Sequence, residues 1–311
     1  MIALKTDICF RRPRFFSISR PSSGKNAAGR LSKLLLCVLL VLNQPAEALA
    51  NVLDITVSSP WLALLVNFIG GVNVKTIPVQ EWNEEGELVR RIRARNLQSL
   101  PAETLIMAFD YRDAKGLGLP FEQYKNYRPL YGQLPLDENK IDASLSDPSV
   151  IPFIAQRVLT VLADWDPASY PYYQRRLAEF QARLYSTTLA GRQILKDQPV
   201  FDLTGHSSML LQAAGCKLSR PADAEWNAWS SWKEMAQLNA AVARNVTEKT
   251  AVVMDYSTPK AIRSTLSSNP NVFLIVRPRL DQDYPAFLHD QYISLWTKIT
   301  SKPLPPRPRR R

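Results

Sequence analysis

Apolar and polar positions alternate in two rhythms along most of the chain. Residues 52–57 form a short β-branched run that ends in Ser58-Ser59-Pro60 and opens into the apolar stretch 61–69, which is the pattern of a strand, a loop and a buried helix. Gly70-Gly71 stops that helix, and 72–79 predicts a second strand. Residues 84–96 predict a helix, with Glu84, Glu85 and Glu87 in its first turn and arginines toward its end, as the helix dipole favours. A third strand is expected over 104–110, and 111–146 is loop-rich with a short helix around 121–127. The pattern then turns helical: 148–164 is amphipathic and 170–195 is unusually long, with a break at Asp166-Pro167. Alternation returns after Lys196, with strands over 199–204, 217–219, 250–255 and 272–276 and helices over 206–215, 231–245, 258–267 and 284–299.

This order predicts an α/β fold: two lobes of mainly parallel sheet flanked by helices, joined by one long backbone helix. The expected divisions are a leader over 1–50, an N-terminal lobe over 51–146, a helical segment over 147–196, a C-terminal lobe over 197–301 and a basic tail over 302–311. A helical connection limits lobe motion to small rotations.

The leader reads as a cleaved export signal. Its apolar run, 34–42, is too short to span a bilayer, which takes ~20 residues, and Ala48-Leu49-Ala50 is a small-x-small cleavage pattern that makes Asn51 the expected mature start. Cys37 interrupts the run instead of ending it, so a lipid anchor is not expected. With Cys9 and Cys37 in the leader, Cys216 stands alone, and stability must come from the core. A composition of 46% hydrophobic and 22% charged residues is sufficient for one. Charge narrows the choice of partner. The net +11 comes from the ends: residues 1–50 hold eight basic against two acidic groups and 302–311 five basic ones, which leaves 26 of each sign in 51–301. A neutral body is not a nucleic-acid footprint. The tail reads as a solvated end or as a contact for acidic lipid heads.

Several segments, weak singly, fall in a meaningful order. They are the strand and helix at 54–71, GLGL at 116–119, SDPSVIPFIAQRVLTVLADWDPASYPYYQRRLAEFQARL at 146–184, MLLQAAGC at 209–216, DYSTPKAI at 255–262 and YPAFLHDQYISLWTKI at 284–299. Together they cover nearly all of 51–300, and the chain resembles the metal-binding component of zinc and manganese ABC importers, in the cluster with a helical backbone. The resemblance implies a periplasmic monomer that captures a small ligand for an ABC permease of the inner membrane. It also implies a divalent metal, zinc or manganese, held between the lobes by three histidines and a carboxylate.

The ligand positions implied by that resemblance hold other residues. Val79 stands at the first histidine, Ala143 at the second, preceded by Asp142, and Thr204 at the third, two residues before His206; Arg277-Pro278 replaces the late Asp-Pro. Valine and alanine coordinate nothing, and an arginine brings its own positive charge. His206 with Glu81, Asp110, Asp142 and Asp255 would make a shifted, oxygen-rich site for a harder ion; as caps and surface groups the same residues need no ligand. Arg277 with Trp61 and Trp82 suits an organic anion or a metal chelate, unless it pairs with Asp281 or Asp283. His289 reads as structural, and Trp226, Trp229 and Trp232, in a loop before a helix, read as core or lid. There is no Gly-rich phosphate loop, His-Glu-x-x-His, G-x-S-x-G elbow or cysteine pair, so no catalytic function is expected. Three readings stay open: a receptor for a metal ion or chelate, a siteless accessory or scaffold protein of the same fold, and a receptor for an organic anion. Convergent polar groups around an open cleft would favour binding, and a filled cleft the scaffold.

Overall fold

The computed structural model describes residues 52–119, 124–134 and 141–301. The expected leader, the tail and residues 121–123 of the predicted 121–127 helix lie outside them. Strand β1 (Leu53–Val57) is flanked by β2 (Val74–Pro78) and β5 (Leu105–Ala108), and β6 (Tyr127–Pro129) completes a parallel sheet in the order β2-β1-β5-β6. A second parallel sheet runs β10 (Val272–Ile275), β9 (Ala251–Asp255), β7 (Pro199–Asp202), β8 (Lys217–Ser219). Between them in sequence lie α5 (Ile151–Trp165) and the 26-residue α6 (Tyr170–Leu195). The two-lobed α/β architecture with a long connecting helix is therefore present.

Period-two alternation sorts the strand residues into layers. In β5, Ile106 and Ala108 join a small cluster on one face while Met107 packs into the main core; in β9, Val252 and Met254 face one way and Val253 the other. The main core is continuous: Ile55, Met107, Leu162, Phe180, Val253 and Leu288 belong to one buried cluster that joins both sheets through α5, α6 and α11 (Tyr284–Thr300). Helix α1 (Pro60–Gly70) is buried along almost its whole length, starting from Ser59, whose hydroxyl accepts the Trp61 amide, with Pro60 in its first turn. Among the described residues no helix is long and apolar enough to cross a membrane.

The structure corrects the reading in three places. Residues 84–96 are not a helix: β3 (Gln80–Trp82) and β4 (Leu88–Arg90) form an antiparallel hairpin, followed by a short helix, α2 (Ala94–Leu97). Asn83 caps the turn by accepting the Glu87 amide at 2.8 Å, and Gly86 adopts φ +80°, which a helix forbids. The exposed Leu88 and Val89 offer no apolar stripe to hold a helix down. Tyr127–Pro129 is a strand that the loop-rich composition concealed. Trp226 and Trp229 lie on a helix, α8 (Asp223–Ser230), with Trp229 1% exposed in the core, whereas Trp232 is exposed.

Candidate functional site

Parallel sheets gather functional groups beyond the carboxyl ends of their strands. Here Trp61 follows β1, Trp82 ends β3, His206 follows β7, Tyr256 follows β9 and Arg277 follows β10, while the one-turn helix α4 (Ile141–Leu145) supplies Asp142. At the centre the Arg277 guanidinium meets the Asp142 carboxylate in a two-pronged pair, Nη1 to Oδ1 and Nη2 to Oδ2 both at 2.5 Å. Trp61 Nε1 donates to Oδ1 at 2.6 Å, and His206 Nδ1 lies 3.2 Å from Oδ2. The third guanidinium nitrogen, Nε, donates to the Gly86 carbonyl at 3.0 Å. Aromatic rings enclose the pair: Arg277 Cζ stands 3.4 Å from the Tyr256 ring centroid and 5.3 Å from that of Trp82, while Trp61 and Trp82 meet edge to face. Tyr256 and Ser146 share a 3.0 Å hydroxyl bond, and Tyr284 donates to the Ser146 carbonyl.

The side chains of Arg277 and Asp142 are 9% and 19% exposed, so this is a largely desolvated ion pair that joins the two lobes. Burial alone would raise the Asp142 pKa. The bonds from His206 and Arg277, together with the arginine charge, outweigh it and hold the carboxyl well below the usual range. Burial and the Asp142 charge push the Tyr256 phenol upward, so it stays a neutral donor.

The other carboxylates are committed elsewhere. Asp255 accepts bonds from the Gly205, His206, Ser207 and Ser257 amides and from the Ser207, Ser257 and Thr258 hydroxyls, thereby fixing the loop that presents His206. Asp110 caps α3 (Tyr111–Gly116), binds the Leu134 amide and pairs with Arg112. Glu81 sits on the hairpin, 3.8 Å from Arg91. Of the five candidates for a shifted metal site, the structure brings together only Asp142 and His206, and no group of three or more His, Cys, Asp or Glu side chains suited to a metal gathers among the described residues.

Trp61, Trp82 and Arg277 do converge, but both terminal nitrogens of Arg277 are taken by Asp142, so the guanidinium is not free for an anion. Its partner is neither of the local aspartates: Asp281 pairs with Arg279 and Asp283 with Arg183. At the four family positions Val79 is fully buried, Ala143 adjoins Asp142, Thr204 gives its hydroxyl to Asp202 at 2.6 Å, and Arg277 is the cation of the pair. This donor set does not fit a divalent metal. Tyr256, Tyr284 and Ser146 were not among the candidates; the signal for Tyr256 was its place directly after the strand-end Asp255.

No protein-family model matches the chain, and no curated protein matches its sequence. Two four-stranded parallel sheets tied by one long helix, with polar groups gathered past their strand ends, define a two-lobed α/β fold. Among solved structures, that of ZnuA matches with a TM-score of 0.56 at 17% identity, over 80% of this chain and 99% of ZnuA. The laminin-binding protein Lmb of Streptococcus agalactiae, described as bifunctional with adhesin and metal-transporting activity, matches at 0.57 and 14% identity over 80% of this chain and all (100%) of its own. A Zn(II)-bound AdcAII variant of Streptococcus pneumoniae matches at 0.56 and 13% over 80% and 99%. At these identities the likeness establishes the fold.

Proposed function

We infer that this chain is an exported, periplasmic accessory protein of metal-importer type, in which a side-chain guanidinium does the work of the captured cation and function runs through protein contacts with an ABC permease. The observation that carries this reading is the buried Asp142–Arg277 pair: it fills the centre of the cleft and bridges the lobes with charges that belong to the chain. The likeness to a Zn(II)-bound protein and to one described as metal-transporting supports the setting, and the unsuitable donor set supports the loss of direct ion capture.

Metal analysis of the purified full-length chain, with calorimetric titration of zinc, manganese and iron(II), tests it. The expected result is no stoichiometric metal and no saturable heat. Melting should also be insensitive to zinc, whereas a ligand at 100 times its Kd adds ~2.7 kcal/mol. Stoichiometric zinc binding that disappears in Asp142→Ala or His206→Ala would overturn the reading in favour of a rearranged metal receptor.

A further inference from the structure

A groove of about 1090 Å³ runs along β10 from Asn269 and Val272 to Leu280, with the β3–β4 turn as its far wall. Strand β10 is an edge strand, paired with β9 alone, and Leu274 and Val276 stay 42% and 48% exposed beside it. At the hairpin end Glu84, Glu85 and Glu87 line the groove without an ion-pair partner among the described residues. The opposite wall carries Lys260 and Arg263, the latter turned to the Glu85 carbonyl at 3.1 Å; Arg277 and Arg279 are neutralised by Asp142 and Asp281. The groove is thus apolar along the strand, with three glutamates at the hairpin and Lys260 and Arg263 facing them.

Ser301, which follows α11, lines an adjoining cavity together with Pro270 and Asn271, immediately before the start of β10. The chain beyond Ser301 therefore starts beside the mouth of the groove. Residues 302–311 read KPLPPRPRRR, an uncharged Pro-Leu-Pro-Pro stretch followed by four arginines. Such a sequence favours the polyproline II form at ~3.1 Å per residue. Residues 303–306 would then span roughly 12 Å, close to the ~13 Å of a four-residue strand, and the arginines would fall roughly 19–31 Å from Ser301. Proline-rich segments dock by laying pyrrolidine faces on apolar and aromatic walls, and acidic flanks receive their arginines.

We propose that residues 302–311 dock in this groove in cis, prolines along β10 and arginines against Glu84, Glu85 and Glu87. The attachment supplies an effective concentration of order millimolar. The proposal holds whether or not the cleft centre takes a ligand.

Hydrogen exchange on the dilute full-length chain tests it, against a variant with Arg307, Arg309, Arg310 and Arg311 changed to Ser and a second with Glu84→Gln, Glu85→Gln and Glu87→Gln. Exchange over 83–87 and 272–280 should quicken roughly fivefold to tenfold in each variant, the effect of a few exposed pairs, and 0.5 M salt should have the same effect on the parent. A synthetic peptide of sequence KPLPPRPRRR should restore protection in the arginine variant and not in the glutamine variant. Equal exchange in all three proteins would overturn the proposal. Protection that rises with protein concentration would overturn the cis assignment in favour of a second copy. A difference seen only with phosphatidylglycerol vesicles would make the tail a membrane contact.

Discussion

At Asp142 three donors meet one carboxylate in a cleft that excludes most water. Removing one member of a buried ion pair strands the other, at a cost of ~3–5 kcal/mol, while replacing both with apolar groups of similar volume is often neutral or stabilising. Asp142→Asn and Arg277→Met should each lower the unfolding free energy by about that amount, and Asp142→Leu/Arg277→Met by far less; guanidinium denaturation of the four proteins measures the coupling. If the double variant loses the sum of the singles, the pair is not the unit described. The pH dependence follows from the depressed Asp142 pKa. Stability held by a carboxylate of this kind is complete above its unfolded value of ~3.9 and is lost as pH falls below it toward the folded pKa. The stability difference between parent and Asp142→Asn should therefore be flat from pH 7 to 5 and shrink below about pH 4. A difference that fades already between pH 7 and 5 would place control in another group. The sequence made Asp142, His206, Trp61 and Arg277 legible as strand-end chemistry, but set Asp142 among metal candidates and Arg277 among anion candidates. Their union was hidden because 135 residues separate them and only the folded lobes bring them together.

Secondary structure was most legible where periodicity was long. Helix α6 was readable almost to its ends because its apolar positions repeat over seven turns. The β3–β4 hairpin was not, since acidic residues near a turn imitate the start of a helix and three-residue strands leave no period to read. What holds the hairpin tip is tertiary. Gly86 lies against Tyr256, and a Cβ added there would come 2.7 Å from the tyrosine Cβ, at a φ that side chains rarely adopt. Gly86→Ala should cost ~1–3 kcal/mol of local strain and speed amide exchange at 83–87, while leaving α6 protected; unchanged exchange at the tip would show that Tyr256 does not seat it. Gly191 plays the corresponding part on α6, where a Cβ would reach 2.4 Å from Tyr292 Cδ2 on α11. Gly191→Ala should lower stability by ~1–3 kcal/mol through overpacking, read from denaturant midpoints, and a neutral result would mean that α11 slides freely on α6.

At the scale of the whole molecule, one buried cluster runs through both sheets and the helices between them. The lobes should therefore melt together: calorimetry is expected to give a single transition with equal calorimetric and van't Hoff enthalpies, and two resolved transitions would mean that the shared core is not cooperative. The Asp142–Arg277 pair has a further bearing on this unit. In a two-lobed protein closed by a captured ion, the closed fraction follows the ion's concentration in the medium. Here the cation is tethered to the chain, so its effective concentration is constant, and a bias of ~3 kcal/mol toward closure would keep the closed form in excess by roughly a hundredfold. Dilution or chelation leaves that ratio unchanged. The shape offered to a partner is then a constant of the chain, and only an agent that parts Asp142 from Arg277 alters it.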